Sequence, residues 1–97
     1  MGKYVLLLNW TDQGIKNVKD TIKRAQFFKW YLEKRGGKLT DLFYTFGQYD
    51  LVVTAELPSD ETAMSVSLGT GALGNVRVTT LKAFGLDETK RIVDELK

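Results

Sequence analysis

The sequence predicts an α+β domain with the element order β-α-β-β-α-β and a short C-terminal helix. Three observations carry this expectation: four short runs rich in aliphatic and aromatic residues, two longer segments with apolar residues every three or four positions, and glycine or proline punctuation between them. The composition agrees, since 43% of the 97 residues are apolar and 27% charged, as in an ordinary globular domain without low complexity.

Residues 3–10 read as a strand, aromatic and aliphatic with no breaker. Thr11 and Asp12 follow as capping residues, with Asp12 the expected cap, for a helix predicted over 13–35. In that helix Ile15, Val18, Ile22, Ala25, Phe28 and Leu32 recur at spacings of three and four, which predicts one core-facing stripe. Gly36 and Gly37 stop it, because glycine accepts the left-handed C-cap conformation at no steric cost. Residues 38–46 predict a second strand, with Leu42, Tyr44 and Phe46 alternating against Asp41 and Thr45. Gly47, Gln48, Tyr49 and Asp50 form a turn into a third strand over 51–57, so these two strands make a hairpin. Pro58, Ser59, Asp60 and Glu61 open a second helix, their acids matching its positive N-terminus. That helix is expected to run to about residue 70 and dissolve into glycines. A fourth strand follows over 76–84, and a last helix over 87–96 capped by Asp87.

No repeat or linker interrupts the chain, so one domain is assigned to residues 1–97. The element order matches the ferredoxin-like unit, and right-handed crossovers place the first and third strands at the centre of a four-stranded antiparallel sheet. The residues agree. Val5 to Leu8 and Leu51 to Val53 are apolar runs, while the second and fourth strands carry Thr40, Asp41, Arg77, Thr79 and Lys82, as edges do.

Composition also removes chemistries. With no Cys there is no disulfide, thiolate metal site or cysteine nucleophile, and with no His the commonest neutral-pH base and haem ligand is gone. The longest apolar run, Tyr4 to Leu8, is far short of the roughly 20 residues a membrane span needs. No secretory leader pattern is present. The expectation is a cytoplasmic protein with no membrane association and no cofactor. The net charge of +2 is unevenly spread: residues 12–38 hold eight basic against three acidic side chains, the remainder six against nine.

Two surfaces call for partners. In the first strand Tyr4, Leu6, Leu8 and Trp10 fall on one face and Val5 and Leu7 on the other. The third strand repeats this with Leu51 and Val53 against Val52. Two main helices cover only one face, so a homo-oligomer, dimer or higher, with sheets packed face to face is expected. The alternative cover is the C-terminal helix folded over the open face. On the first helix Lys16, Lys19, Lys23, Phe27, Trp30 and Lys34 share an outward sector. Phe27 and Trp30 are candidate interface residues. The same sector could stack on bases and contact phosphates, but nucleic acid is disfavoured by so small a net charge.

Gly69, Gly71 and Gly74 spell the dinucleotide fingerprint G-x-G-x-x-G. That chemistry needs the loop to leave a strand and open a helix, whereas here it leaves a helix and enters a strand, so cofactor binding is rejected. Tyr49 and Asp50, beside the Gly47 turn, are the polar pair expected near a cleft mouth, where a hydroxyl beside a carboxylate can relay a proton. Their structural alternative is a capped hairpin. Asn9, Trp10 and Arg77, at other strand ends, are candidate ligand contacts under the same alternative.

Several separated motifs in order make the chain resemble the GYD-domain family: Asn9 to Gly14, Gly36 with Gly37, Tyr44 to Asp50 with its Gly47, Tyr49 and Asp50 signature, Gly74 to Arg77, and Thr79 to Leu81. The resemblance implies a dimeric α+β barrel type of ferredoxin-like fold and a tendency to pair, and implies no established activity. Relatives of that architecture include cofactor-free monooxygenases, lactone isomerases and haem-dependent enzymes, the last closed here for want of a histidine. The functional expectation is therefore an oligomeric module binding a small ligand between sheet and helices. The alternative is a cofactor-independent enzyme acting on a small aromatic or carbonyl compound, with Tyr49 and Asp50 handling protons and Asn9 or Arg77 holding an anion. A third reading is nucleic-acid binding through the basic helix face.

Overall fold

The computed structural model describes residues 1–96. Its elements are β1 (Gly2–Trp10), α1 (Asp12–Lys16), a 3-10 turn (Val18–Asp20), α2 (Thr21–Lys34), β2 (Lys38–Tyr44), β3 (Leu51–Leu57), α3 (Asp60–Ala72), β4 (Val76–Ala83) and α4 (Leu86–Asp94). The four strands form one antiparallel sheet in the order β2-β3-β1-β4, the ferredoxin-like arrangement with β1 and β3 at the centre.

The period-two side-chain pattern of strands divides the sheet into two faces. Tyr4, Leu6 and Leu8 of β1 and Leu51, Val53, Ala55 and Leu57 of β3 are buried on the helix side. Leu32 from α2, Ala63 and Val66 from α3 and Val76 from β4 complete the core. Five of these side chains, Leu6, Leu32, Val53, Leu57 and Val66, are sealed from solvent. At about 1.5–3 kcal/mol for each large aliphatic side chain, their burial is the main adhesive between helices and sheet.

A register shift between Leu39 and Asp41 gives β2 one extra residue opposite β3. This bulge lets Leu39 and Leu42, three positions apart, both turn toward the helices. It also brings the Thr40 and Thr54 hydroxyls to 2.6 Å of each other on the opposite face.

The largest correction concerns the first helical segment. The single helix expected over 13–35 is broken at Asn17 into α1, the 3-10 turn and α2. Ile15 in α1, Val18 in the 3-10 turn and Ile22 in the first turn of α2 are all exposed. Only Ala25, Phe28 and Leu32 of the predicted stripe face inward. The cap also differs. Thr11, not Asp12, is the N-cap of α1, its Oγ1 accepting from the Gly14 amide at 3.0 Å. Gly14 is buried because a Cβ there would lie 1.9 Å from the Asn75 carbonyl oxygen, so α1 seats directly on the backbone entering β4.

Smaller corrections follow the same logic. Strand β2 ends at Tyr44, leaving Phe46 in the turn with 99% of its surface exposed. Helix α3 runs through Gly69 and Gly71 to Ala72, and the left-handed Gly74 (φ 87°) makes the turn into β4. The last helix starts at Leu86 with Gly85 as its N-cap. Its capping bond runs from the Gly85 amide to the Glu88 carboxylate at 3.2 Å, and Asp87 sits in the first turn without capping.

The open face carries Val5, Leu7 and Val52, half-buried, with Phe43 and Leu81 more exposed, at 57% and 47%. Helix α4 is exposed apart from Glu88, its exposed side chains including Leu86, Ile92 and Val93. No described helix is long and apolar enough to cross a membrane.

Candidate functional site

Helix α2 packs over β2 and α3 over β4, and the helix side of the sheet is left uncovered between them at one end. A cavity of about 380 Å³ lies there. Its floor is the ends of the strands: Leu8 and Trp10 of β1, Leu42 and Tyr44 of β2, Leu51 and Val53 of β3, and Val76 of β4. One wall is α2, through Thr21, Arg24, Ala25, Phe28 and Tyr31. The other is the end of α3, through Gly69, Thr70 and Leu73. The volume falls within the roughly 300–1,000 Å³ of small-molecule sites, and the wall is overwhelmingly apolar, as such sites are.

Polar bridges fix both ends. At one, Arg35 of the α2 C-cap donates to the Ser65 hydroxyl at 2.6 Å and to the Tyr31 hydroxyl at 2.9 Å, and its guanidinium lies over the Tyr31 ring at 4.8 Å. This ties α2 to α3. Gly69 on the facing turn leaves room for the Tyr31 hydroxyl, which a Cβ would meet at 2.6 Å. At the other end Trp10 stacks on Tyr44 with ring centres 6.5 Å apart, and the Tyr44 and Thr21 hydroxyls are 2.9 Å apart. Arg24 lies over Trp10, its guanidinium carbon 6.0 Å from the ring centre. Its Nη1 donates to the Asn17 carbonyl at 2.9 Å, while Nη2 is buried with no hydrogen-bond partner among the described residues.

A second polar cluster lies toward the other end of the helix face. The Tyr4 hydroxyl donates to the Asp60 carboxylate, and Lys82 pairs with the same oxygen at 2.8 Å. The Lys82 ammonium also lies over the Tyr4 ring at 4.9 Å. Burial, then the Asp60 hydrogen bond, pushes the Tyr4 hydroxyl above its ordinary range. The Lys82 hydrogen bond, then that of Tyr4, holds the Asp60 carboxyl below the usual carboxylate range. The hydrogen bond from Asp60, then that of Tyr4, raises Lys82. Each shift deepens the protonation state the group already has at neutral pH, so this is a strut between β1, β4 and α3 rather than a proton-transfer set.

The sequence candidates are scattered by the fold. Trp10 lines the cavity, Arg77 borders a second hollow beside α3 and β4, and Asn9, Tyr49 and Asp50 line neither. Asn9 and Arg77 pair across β1 and β4 on the opposite face of the sheet, and the Asn9 amide donates to the Gln48 carbonyl at 2.8 Å. The Asp50 carboxylate accepts from the Trp10 amide at 2.8 Å, which pins the end of β1 to the hairpin. Tyr49 is half-buried beside it, its carbonyl accepting from the Thr45 hydroxyl at 2.5 Å. On α2 Trp30 and Phe27 are half-exposed with ring centres 5.5 Å apart, and Phe27 also touches the cavity rim. The basic sector is divided, because Lys16 and Lys19 precede the start of α2 and Lys23 and Lys34 lie on it. The residues missed in sequence are Arg24, Tyr31 and Tyr44. Their one local signal is the pair Tyr31 and Arg35, spaced for contact along a helix.

Residues 4–93 match the family model described as the GYD domain, so the chain belongs to that family. No curated protein matches it significantly.

Proposed function

We propose that this GYD-domain protein binds a small, largely apolar ligand in the cavity between the sheet, α2 and α3. The observation that carries this reading is an apolar cavity of about 380 Å³ held open by side-chain bridges at both ends rather than collapsed. Its aromatic walls of Trp10, Phe28, Tyr31 and Tyr44 suit a ring or short chain. The test is a thermal-shift screen with uncharged aromatic compounds on the wild type and on Ala25→Phe, which fills the cavity from α2. Compounds should raise the wild-type melting temperature and leave that of Ala25→Phe unmoved. Equal shifts in both proteins would place binding elsewhere, and no shift from any compound would remove the reading. Asp50 is engaged at the Trp10 amide, so a proton-transfer chemistry centred on it has no support from the geometry.

A second reading concerns assembly. The open face is apolar at Val5, Leu7, Val52, Phe43 and Leu81, and α4 of the same chain does not lie over it. We propose that a second copy covers it, sheet against sheet. The four strands present about 400 Å² of face at ordinary strand spacings, short of the roughly 800 Å² per partner of a stable interface. The exposed apolar side of α4 supplies further area. Sedimentation equilibrium should show a dimer or higher species that Leu7→Glu converts to monomer. A wild type monomeric at micromolar concentration would refute it.

A further inference from the structure

The wall of the cavity holds one feature that an apolar ligand alone leaves unexplained. Arg24 carries a permanent positive charge, and its Nη2 is buried with no acceptor among the described residues. No carboxylate among those residues lies within 4 Å of it, since the ion pairs present are Lys82 with Asp60 and Lys90 with Asp94. One donor, on Nη1, is satisfied by the Asn17 carbonyl, and the Trp10 ring offers the guanidinium a face. A buried donor on a charged group is costly when left unmade, and guanidinium geometry matches a carboxylate oxygen. The other charged side chains at the wall, Asp20 and Lys23, are exposed, so solvent screens them while Arg24 Nη2 is not screened.

We infer that the ligand of the cavity is an amphiphilic acid: an aromatic or short aliphatic body on the Trp10, Phe28 and Tyr31 wall, and one carboxylate drawn to Arg24. The guanidinium turns from its covered position toward the cavity to donate to that carboxylate. This rests on the cavity being a ligand site, as proposed above. It adds the sign of the ligand's charge and the residue that reads it. The break at Asn17 becomes part of the site, because the Asn17 carbonyl, which also accepts the Asp20 amide of the 3-10 turn, holds the guanidinium.

The test compares three probes of matched shape, 4-phenylbutanoate, 4-phenylbutanol and 4-phenylbutylamine, by titration calorimetry against the wild type, Arg24→Met and Arg24→Gln. The wild type should bind the acid at least about tenfold more tightly than the alcohol, the gain expected of a charge-assisted hydrogen bond, and bind the amine weakest. In both variants the preference for the acid over the alcohol should disappear. Equal binding of acid and alcohol by the wild type, or a preference that survives both substitutions, overturns the assignment of Arg24 while leaving the cavity as a binding site. Failure of all three probes overturns the cavity reading and this one with it. The wild-type ranking needs no variant, so it decides the matter even if a substitution disturbs folding.

Discussion

Two polar clusters stand on the helix side of the same sheet, and they are finished differently. Around Tyr4 the hydroxyl, the Asp60 carboxylate and the Lys82 ammonium meet one another, and each shift in acidity reinforces the state already present. Around Trp10 the aromatic pair is built as carefully, yet Arg24 brings a buried donor that nothing described accepts. The first cluster satisfies its own donors and acceptors and holds β1, β4 and α3 together, although it too lines an open hollow beside α3. The second leaves a donor without a partner among the described residues beside the apolar cavity. A satisfied network is accounted for by the fold alone, whereas an unmade hydrogen bond calls for a partner, a bound water or a ligand.

The largest effect comes from removing a core side chain under α2. Leu32 on α2 is fully buried, and Leu32→Ala should cost about 2–5 kcal/mol in a denaturant titration, loosening α2 and so the cavity. Next in size, Tyr4→Phe removes the donor to Asp60 and should cost about 1 kcal/mol, with affinity for cavity ligands unchanged. Arg24→Met should do the reverse. Its stability should lie within about 1 kcal/mol of wild type, since an uncompensated buried donor is replaced by an apolar chain of similar length, while ligand selectivity changes. A loss of stability larger than that of Tyr4→Phe would show Arg24 to be as structural as Tyr4.

The smallest effect is in the pH profile. The folded-state acidity of Asp60 is depressed below the usual carboxylate range, so its contribution is present above the unfolded carboxylate pKa and disappears as pH falls through the folded value. Tyr4 and Lys82 are raised, so their contributions are whole below their ordinary ranges and disappear as pH rises through the raised values. Asp60→Asn should therefore flatten the acid limb of a stability-against-pH curve. An unchanged acid limb would show the strut to be energetically silent, as exposed ion pairs often are.

The same contrast explains what could be read from the chain. Strand positions and their order were legible because alternation, turn residues and the apolar runs at Val5 to Leu8 and Leu51 to Val53 are local signals. The end of the long helix at Gly36 was legible for the same reason, the glycine adopting φ 79°. The break at Asn17 was not. Ile15, Val18 and Ile22 keep the helical period across it, and only the seating of Gly14 on the Asn75 backbone reveals that the chain turns there. The cavity was anticipated between sheet and helices, but Tyr49 and Asp50 drew attention to a hairpin whose carboxylate is occupied by the Trp10 amide. Arg24 carried no sequence signal, since a buried donor left without a partner is a property of the packed molecule.

Helix α4 has a consequence for how the molecule would be observed. It has nine residues and an exposed apolar side, and a helix of that length is marginal in water without something to pack on. Its helicity should then depend on whatever covers that side. If a second copy does so, far-ultraviolet ellipticity becomes a function of protein concentration, and a stretch of chain remote from the cavity serves as an optical gauge of assembly.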